Sequence, residues 1–223
     1  FSFTFATYRN PARMGFGALR VLNEDWIQPG TGFDMHPHRD QEILLIPLSG
    51  AVAHADSLGN EAVVRRDEVM LIRAGAGIEH SQLNASDNEM DHHLQVWLAP
   101  RRPGLKPGIA LGRFDPAKSV GALQLIASED GRDSSLVVDQ DVSVFRSRLL
   151  STDALAYSPA PDRSVYLHVV RGDVKVRTMT KPGDELLRTA DAIAWTQATS
   201  FSVVGEGALG QELLLFDLPR ELD

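Results

Sequence analysis

Two histidines, His36 and His38, stand one residue apart in the segment GTGFDMHPHRDQE, and His80 adds a third imidazole in AGAGIEHSQLN. Alternate residues of a β-strand point to the same face, so one strand can present both His36 and His38 to one ion. In regular strands, Glu42 and Gln82 would fall on the faces of His38 and His80. This spacing predicts a metal pocket lined by nitrogen and oxygen inside a β-barrel. The alternative is a surface or hydrogen-bonded histidine pair.

The chain contains no cysteine, so disulfides and thiolate ligands are both excluded. A metal would have to be held by imidazole, carboxylate or amide oxygen, and one divalent transition metal is the expected cofactor. Iron, nickel, manganese, cobalt, copper and zinc are all compatible with such ligands.

The composition is that of an ordinary globular protein, with 223 residues, 43% hydrophobic and 23% charged. Lys and Arg number 22 against 30 Asp and Glu, which gives a net charge of -8. The sequence contains no run of basic residues of the kind that binds the phosphate backbone of a nucleic acid. We therefore expect no direct nucleic-acid binding. No segment approaches the roughly 18 apolar residues of a membrane span, and none is expected. Because the sequence begins at Phe1, a preceding segment with a targeting signal is an open expectation, and cytoplasm is the default.

Short apolar or alternating runs separated by Gly, Pro, Asn and Asp predict an all-β protein of sandwich or barrel type. The segment DSLGN predicts a hairpin turn in which Gly59 supplies a positive φ. The predicted strands of the first half are GALRVLNEDWI, EILLIPLSG, AVAHAD, AVVRR, EVMLIRAG and HHLQVWLAP.

The segment APRRPGLKPG is too rich in proline and glycine for a central strand, so we expect a domain boundary there. The predicted domains are residues 1–117 and 118–223. LLIPLSGAVAHAD in the first half and YLHVVRGDVKVRT in the second share a strand, a glycine turn and a second strand. Two tandem antiparallel barrels of jelly-roll type are predicted, and only the N-terminal barrel carries the histidines.

The motifs resemble two consecutive cupin signatures. Gly30, His36, His38 and Glu42 fit G-x5-H-x-H-x3-E, and the segment Gly77 to Asn84 fits G-x2-H-x3-N. The sequence outside these motifs resembles the pirin family, particularly its bacterial pirin-like bicupins. The segments that carry the resemblance are FSFTFATYRNP, MGFGALRVLNEDWIQPGTGF, HPHRDQEI, HADSLGN, AGAGIEHS and LLLFDLP.

This resemblance implies a single metal ion in the N-terminal barrel, usually iron. The implied ligands are His36, His38, His80 and the residue two positions after His80. The family typically has glutamate at that fourth position, where this chain has Gln82. Glutamine offers a neutral carbonyl oxygen and does not accept a proton at any working pH. The substitution leaves open whether the site keeps its metal affinity.

The resemblance also suggests a quercetin 2,3-dioxygenase, an O2-dependent enzyme acting on a flavonol-like aromatic. Such a reaction needs open metal positions, a dry apolar pocket and a base for the flavonol hydroxyl. Gln82 fails as a base, so Glu42 is the acidic candidate for a ligand or base role. Its alternative role is a hydrogen bond that orients a histidine. The competing function is a non-catalytic regulatory protein that binds a protein partner.

Other polar residues have less specific roles. His54 shares a face with Asp56 and is expected to be structural, with the pocket mouth as its alternative. In HHLQVWLAP the face of Gln95 and Trp97 is a candidate for the barrel lining. His168 is expected to be a core histidine. The glycines of AGAGIEH predict a tight bend before His80 rather than a phosphate loop, because no helix pattern follows them.

Overall fold

The structure is a computed structural model that describes residues 1–150, 153–179, 183–207 and 210–221. Nineteen β-strands and two short 3-10 turns, Pro116–Ser119 and Arg132–Ser134, make up the regular structure of these residues. The strands form where β-branched and aliphatic residues alternate with polar ones, as in IEHSQLN, whose buried and more exposed residues alternate. The all-β prediction is confirmed. No helix of the described residues is long and apolar enough to cross a membrane.

The chain divides into two compact units, Phe1–Phe114 with Val138–Gln140, and Asp115–Val137 with Asp141–Asp223. The functional division at residue 117 stays a prediction. In the first unit, two antiparallel sheets have the strand orders β1-β8-β3-β6-β9 and β2-β7-β4-β5. Their strands are β1 (Leu19–Ile27), β2 (Gly32–His38), β3 (Glu42–Ser49), β4 (Ala51–Asp56), β5 (Glu61–Arg65), β6 (Glu68–Arg73), β7 (Ile78–Asn84), β8 (Asp91–Leu98) and β9 (Gly108–Arg113).

The second unit also has two sheets, in the orders β11-β10-β12-β19-β14-β17 and β13-β18-β15-β16, and only the β10–β11 pair is parallel among them. Its strands are β10 (Gln124–Ser128), β11 (Leu136–Val137), β12 (Ser143–Leu149), β13 (Ala154–Tyr157), β14 (Arg163–Arg171), β15 (Asp173–Thr178), β16 (Glu185–Leu187), β17 (Ala192–Trp195), β18 (Phe201–Glu206) and β19 (Gln211–Pro219).

An apolar core joins the two sheets of the first unit. Side chains of β3 and β6 pack against side chains of β4, β5 and β7, and Trp97 of β8 borders the cluster. Each such aliphatic side chain contributes roughly 1.5–3 kcal/mol when removed from water. The buried members are Ile43, Leu45, Val52, Val64, Met70, Ile72, Ala74 and Ile78. This core fixes the strands that carry the histidines.

The predicted internal echo is present as two strand–glycine–strand connections, each of which leads from one sheet of its unit to the other. β3 and β4 are joined at Gly50 with φ 71°, and β14 and β15 are joined at Gly172 with φ 78°. The predicted DSLGN turn is confirmed as well, because the Asp56 amide donates to the Asn60 carbonyl and Gly59 has φ 84°.

Candidate metal centre

Strands β2 and β7 bring the three predicted histidines together. They pair antiparallel, with His36 opposite His80 and Phe33 opposite Gln82. Between these pairs β2 contains one extra residue, a β-bulge, which keeps Phe33 and His36 on the same face. His38 follows His36 by two residues and shares that face.

The three imidazoles form a compact cluster. Their ligand nitrogens lie within 4.8 Å of one another, and the ring centroids are 4.6 Å apart for His36 and His80 and 4.9 Å for His38 and His80. His36 donates its Nδ1 proton to the Asp34 carbonyl oxygen at 2.6 Å. That bond fixes the tautomer and leaves Nε2 of His36 as the available ligand.

Burial keeps the imidazoles of His38 and His80 neutral. Desolvation, with smaller contributions from neighbouring histidines, lowers the pKa of His38 to about 4 and that of His80 to about 3. Both ring nitrogens of His80 are buried and have no hydrogen-bond partner. Neutral, unpartnered imidazole nitrogens are the ligands that divalent transition metals take, so this donor set fits the expected ion.

The bend before His80 forms as predicted. Gly75 has φ +46°, and a Cβ at this position would lie 2.0 Å from the Leu105 carbonyl oxygen. Only glycine fits such a close backbone approach. A strand rather than a helix follows the bend, and it delivers His80 to the buried face of β7.

Gln82 is buried on the face of β7 that carries His80, with 1% of its surface exposed. Its Oε1 accepts a hydrogen bond from Nε2 of Gln95 at 2.8 Å, and Oε1 of Gln95 accepts from the Trp97 indole N–H at 2.9 Å. Trp97 also contacts His38 edge-on, with ring centroids 4.8 Å apart. Gln95 and Trp97 therefore reach the site. The alternation in β8 predicted which face they share, but it did not predict the hydrogen bonds that connect Trp97, Gln95 and Gln82.

Glu42 does not lie beside the histidines, so the prediction that it faces inward is wrong. Asp40, with φ 51°, makes a turn between β2 and β3, and the alternation counted from His38 does not continue through it. Ile43 and Leu45 take the inward face of β3, which leaves Glu42 on the opposite one.

The Glu42 carboxylate is engaged in structural bonds. Its side chain is fully buried, accepts from Nε of Arg73 at 3.0 Å and accepts from the Asp139 backbone N–H at 2.7 Å. Burial raises the pKa of Glu42, while the Asp139 and Arg73 hydrogen bonds oppose the shift. Glu42 links β3 to β6 and to the segment 138–140 of the same unit.

His54 lies beside the three-histidine cluster and not at the mouth of the pocket, which was the alternative position expected from the sequence. It is 2% exposed, its ring centroid is 5.4 Å from that of His80, and it stands opposite Gln82 in the β4–β7 pairing. Nε2 of His54 is 3.2 Å from Oδ2 of Asp56. Burial would raise the pKa of Asp56, but hydrogen bonds from Asn60, His54 and Leu58 hold it below its usual value.

The remaining histidines serve other contacts. Nε2 of His92 is 2.8 Å from Glu24, and Nδ1 of His93 is 2.6 Å from Asp91. His168 is buried in strand β14 of the second unit, as expected for a core histidine.

An open pocket of about 460 Å³ lies at the end of β2, and of the three clustered histidines His38 is the one that lines it. It provides space for a small molecule beside one of the three imidazoles. Its lining residues are Pro37, His38, Arg39, Ser57, Gly77, Ile78 and Glu79.

Comparison with known proteins agrees with this architecture. Residues 1–98 match the family model Pirin, and residues 125–218 match the model Quercetinase C-terminal cupin domain. The fold and the histidine cluster define a nearly all-β protein with cupin domains. The chain belongs to the pirin family, as the sequence motifs predicted.

Individual relatives cover most of the chain. It is 39% identical to "Quercetin 2,3-dioxygenase" of Escherichia coli K12, over 98% of this chain and 90% of that protein. It is 35% identical to "Pirin-like protein" of Caulobacter vibrioides, over 78% and 75%. The crystal structure of bacterial pirin YhhW in complex with nickel(II), from Escherichia coli, is 39% identical, has a TM-score of 0.88, and aligns over 98% of this chain and 90% of that one.

Proposed function

We propose that this protein is a metal-dependent dioxygenase that acts on a flavonol-like aromatic, of the quercetin 2,3-dioxygenase type. The observation that carries the proposal is the cluster of three imidazoles, of which His38 also lines a pocket of about 460 Å³. The 39% identity to a relative named quercetin 2,3-dioxygenase supports the choice of substrate class.

In this proposal His36, His38 and His80 hold one divalent ion through a ring nitrogen each. Iron is the metal expected from the family resemblance, and nickel is the ion named for the YhhW complex. When bound, the ion supplies a Lewis acid that attracts substrate oxygens and O2. The metal-bearing domain is proposed to span residues 1–117, and each half of the chain is proposed to close into a jelly-roll barrel.

The protein's own side chains bind and orient the substrate. Trp97 lies edge-on against both His38 and Phe5, with ring centroids 4.8 and 5.4 Å apart, so aromatic surface borders the cluster. Such a wall excludes water and suits the face of an aromatic substrate. Neither Gln82 nor Glu42 serves as the base, because the first is an amide and the second is bonded to Arg73 and Asp139.

The test uses untagged protein loaded separately with Fe(II), Ni(II), Mn(II), Co(II) or Cu(II) and supplied with quercetin in air. We expect O2 consumption and loss of the flavonol absorbance with at least one metal, and loss of both in His80→Gln. His92→Gln is the matched control, because His92 contacts Glu24 away from the cluster. No turnover with any metal would contradict the proposal and favour the regulatory alternative, in which His36→Gln disturbs binding to a protein partner.

A further inference from the structure

Three neighbouring side chains on the inner face of β7 and β4 carry buried polar atoms with no hydrogen-bond partner. The atoms without a partner are Nε2 of Gln82, Nδ1 of His54 and both ring nitrogens of His80. His54 lies opposite Gln82 in the strand pairing, and the His54 and His80 rings are 5.4 Å apart. Buried polar groups are normally satisfied, so a group of them at one place indicates a bound ligand.

Trp97 determines which way the Gln82 amide faces. An indole N–H only donates, so Gln95 must turn its carbonyl oxygen toward Trp97 and its NH2 toward Gln82. Gln82 then accepts through Oε1, and its own NH2 is left as the free group. Trp97 therefore acts through Gln95 to orient the Gln82 amide. In this orientation the free group of Gln82 is a hydrogen-bond donor and not a carbonyl oxygen that could ligate a metal.

Asp56 determines in the same way which ring nitrogen of His54 carries the proton. A carboxylate only accepts, so His54 carries its proton on Nε2, which is 3.2 Å from Asp56, and Nδ1 is a bare acceptor. The face beside His80 thus offers one fixed donor, from Gln82, and one fixed acceptor, from His54. This pair complements a ligand with an oxygen acceptor next to a hydroxyl.

We propose that Gln82 is a specificity-determining residue whose NH2 donates a hydrogen bond to an anionic oxygen of the substrate beside the three histidines. This inference rests on the proposed function for the identity of that substrate, a flavonol-like aromatic with its hydroxyl deprotonated. A glutamate at this position would repel an anionic oxygen, whereas the amide attracts it. His54 accepts from a neighbouring hydroxyl of the same ligand.

The test uses untagged, Co(II)-loaded protein under anaerobic conditions, so that binding is measured without turnover. Two probes are titrated, quercetin by its absorption change and sodium azide by the Co(II) spectrum. Gln82→Leu removes the donor, and Trp97→Phe keeps an aromatic ring while removing the indole N–H that orients Gln95. Co(II) affinity is measured for each variant by competition with a chelator.

Gln82→Leu is expected to weaken azide and quercetin binding about tenfold, the size of a hydrogen bond to a charged group, with Co(II) affinity within about threefold of wild type. Trp97→Phe, which leaves Gln82 in place, should weaken azide binding by a smaller factor. The quercetin absorption should also shift to that of the anion at a lower pH in wild type than in Gln82→Leu.

Equal azide affinity in wild type and Gln82→Leu would overturn the inference and indicate that a buried water satisfies the free amide. A loss of Co(II) affinity above about thirtyfold in Gln82→Leu would overturn it too, because Gln82 would then be a metal ligand. If wild type binds azide but no quercetin, the proposed substrate fails. The azide comparison still decides the role of Gln82 in that case.

Discussion

His80 lies directly opposite His36 in the β2–β7 pairing because β2 carries one extra residue between Phe33 and His36. Without that bulge, the register set by Phe33 and Gln82 would place His36 opposite Glu79. Since a shift of one residue turns a side chain to the other face of a sheet, His36 would then face away from His80. The bulge is therefore the local feature that assembles the three imidazoles.

Gly75→Ala should damage the fold and the centre together. The new Cβ would meet the Leu105 carbonyl oxygen at 2.0 Å, and the positive φ of 46° adds strain. We expect a loss of roughly 2 kcal/mol or more in the free energy of unfolding, together with weaker metal binding, because this bend delivers His80. Urea unfolding and metal analysis would check both. Gly59→Ala is the matched control, since nothing lies within 4 Å of a Cβ there. A fully stable Gly75→Ala protein with normal metal content would contradict this role.

The stability of the metal-free protein should fall as the pH drops below about 6.5. The folded-state pKa values of His38 and His80 are lowered to about 4 and about 3, so the unfolded chain binds more protons between those values and the usual histidine pKa. Folding free energy is therefore fully present above pH 6.5 and is lost progressively toward pH 4. From pH 7 to 5 each histidine contributes at most about 2 kcal/mol, and after a discount for solvent screening we expect a loss of about 3 kcal/mol for the pair, measured by urea unfolding with a chelator present.

His80→Gln supplies the control for this pH dependence. It removes one of the two histidines and should leave a clearly shallower decrease between pH 7 and 5. Identical pH profiles for wild type and His80→Gln would show that His80 does not contribute to the decrease.

Gln82→Glu should tighten metal binding at least about tenfold, because it places an anionic oxygen on the buried face that carries His80. The metal-free variant should be less stable by about 1–3 kcal/mol, since the added carboxylate is buried without a cation. Thermal unfolding with and without Co(II), and chelator competition, measure the two effects. Metal affinity unchanged from wild type would show that residue 82 does not reach the ion.

Glu42→Ala should unfold more easily and yet keep its metal. Removing the carboxylate removes the acceptor of the buried Asp139 amide and one hydrogen bond of Arg73, at a cost of about 2–3 kcal/mol. Glu42→Gln, which retains an acceptor oxygen, should cost less. Denaturant unfolding and metal analysis separate stability from binding. A loss of metal from folded Glu42→Gln would contradict the purely structural role and show that Glu42 contributes to the metal site.

The sequence predicted the parts of the site that depend on alternation within one strand. His36 and His38 in β2, His80 and Gln82 in β7, and the face of Gln95 in β8 all follow the two-residue period. The glycine turns of the two echoing strand–glycine–strand segments were also predictable, because Gly50 and Gly172 take a positive φ that other residues avoid.

The parts that failed depend on how strands meet. Glu42 was assigned to the wrong face because the turn at Asp40 interrupts the alternation between β2 and β3. The bulge before His36 and the bonds from Trp97 through Gln95 to Gln82 join separate strands, and only the three-dimensional register shows them. His54 reached the cluster for the same reason, through its pairing opposite Gln82.

The most direct test of the account is the metal stoichiometry of untagged protein after loading with Fe(II) or Ni(II) and removal of excess ion. One ion per chain is predicted for wild type and for His92→Gln, and far less than one for His36→Gln and His80→Gln. Wild type that retains no metal, or a folded His80→Gln variant that retains a full equivalent, would contradict the three-histidine centre.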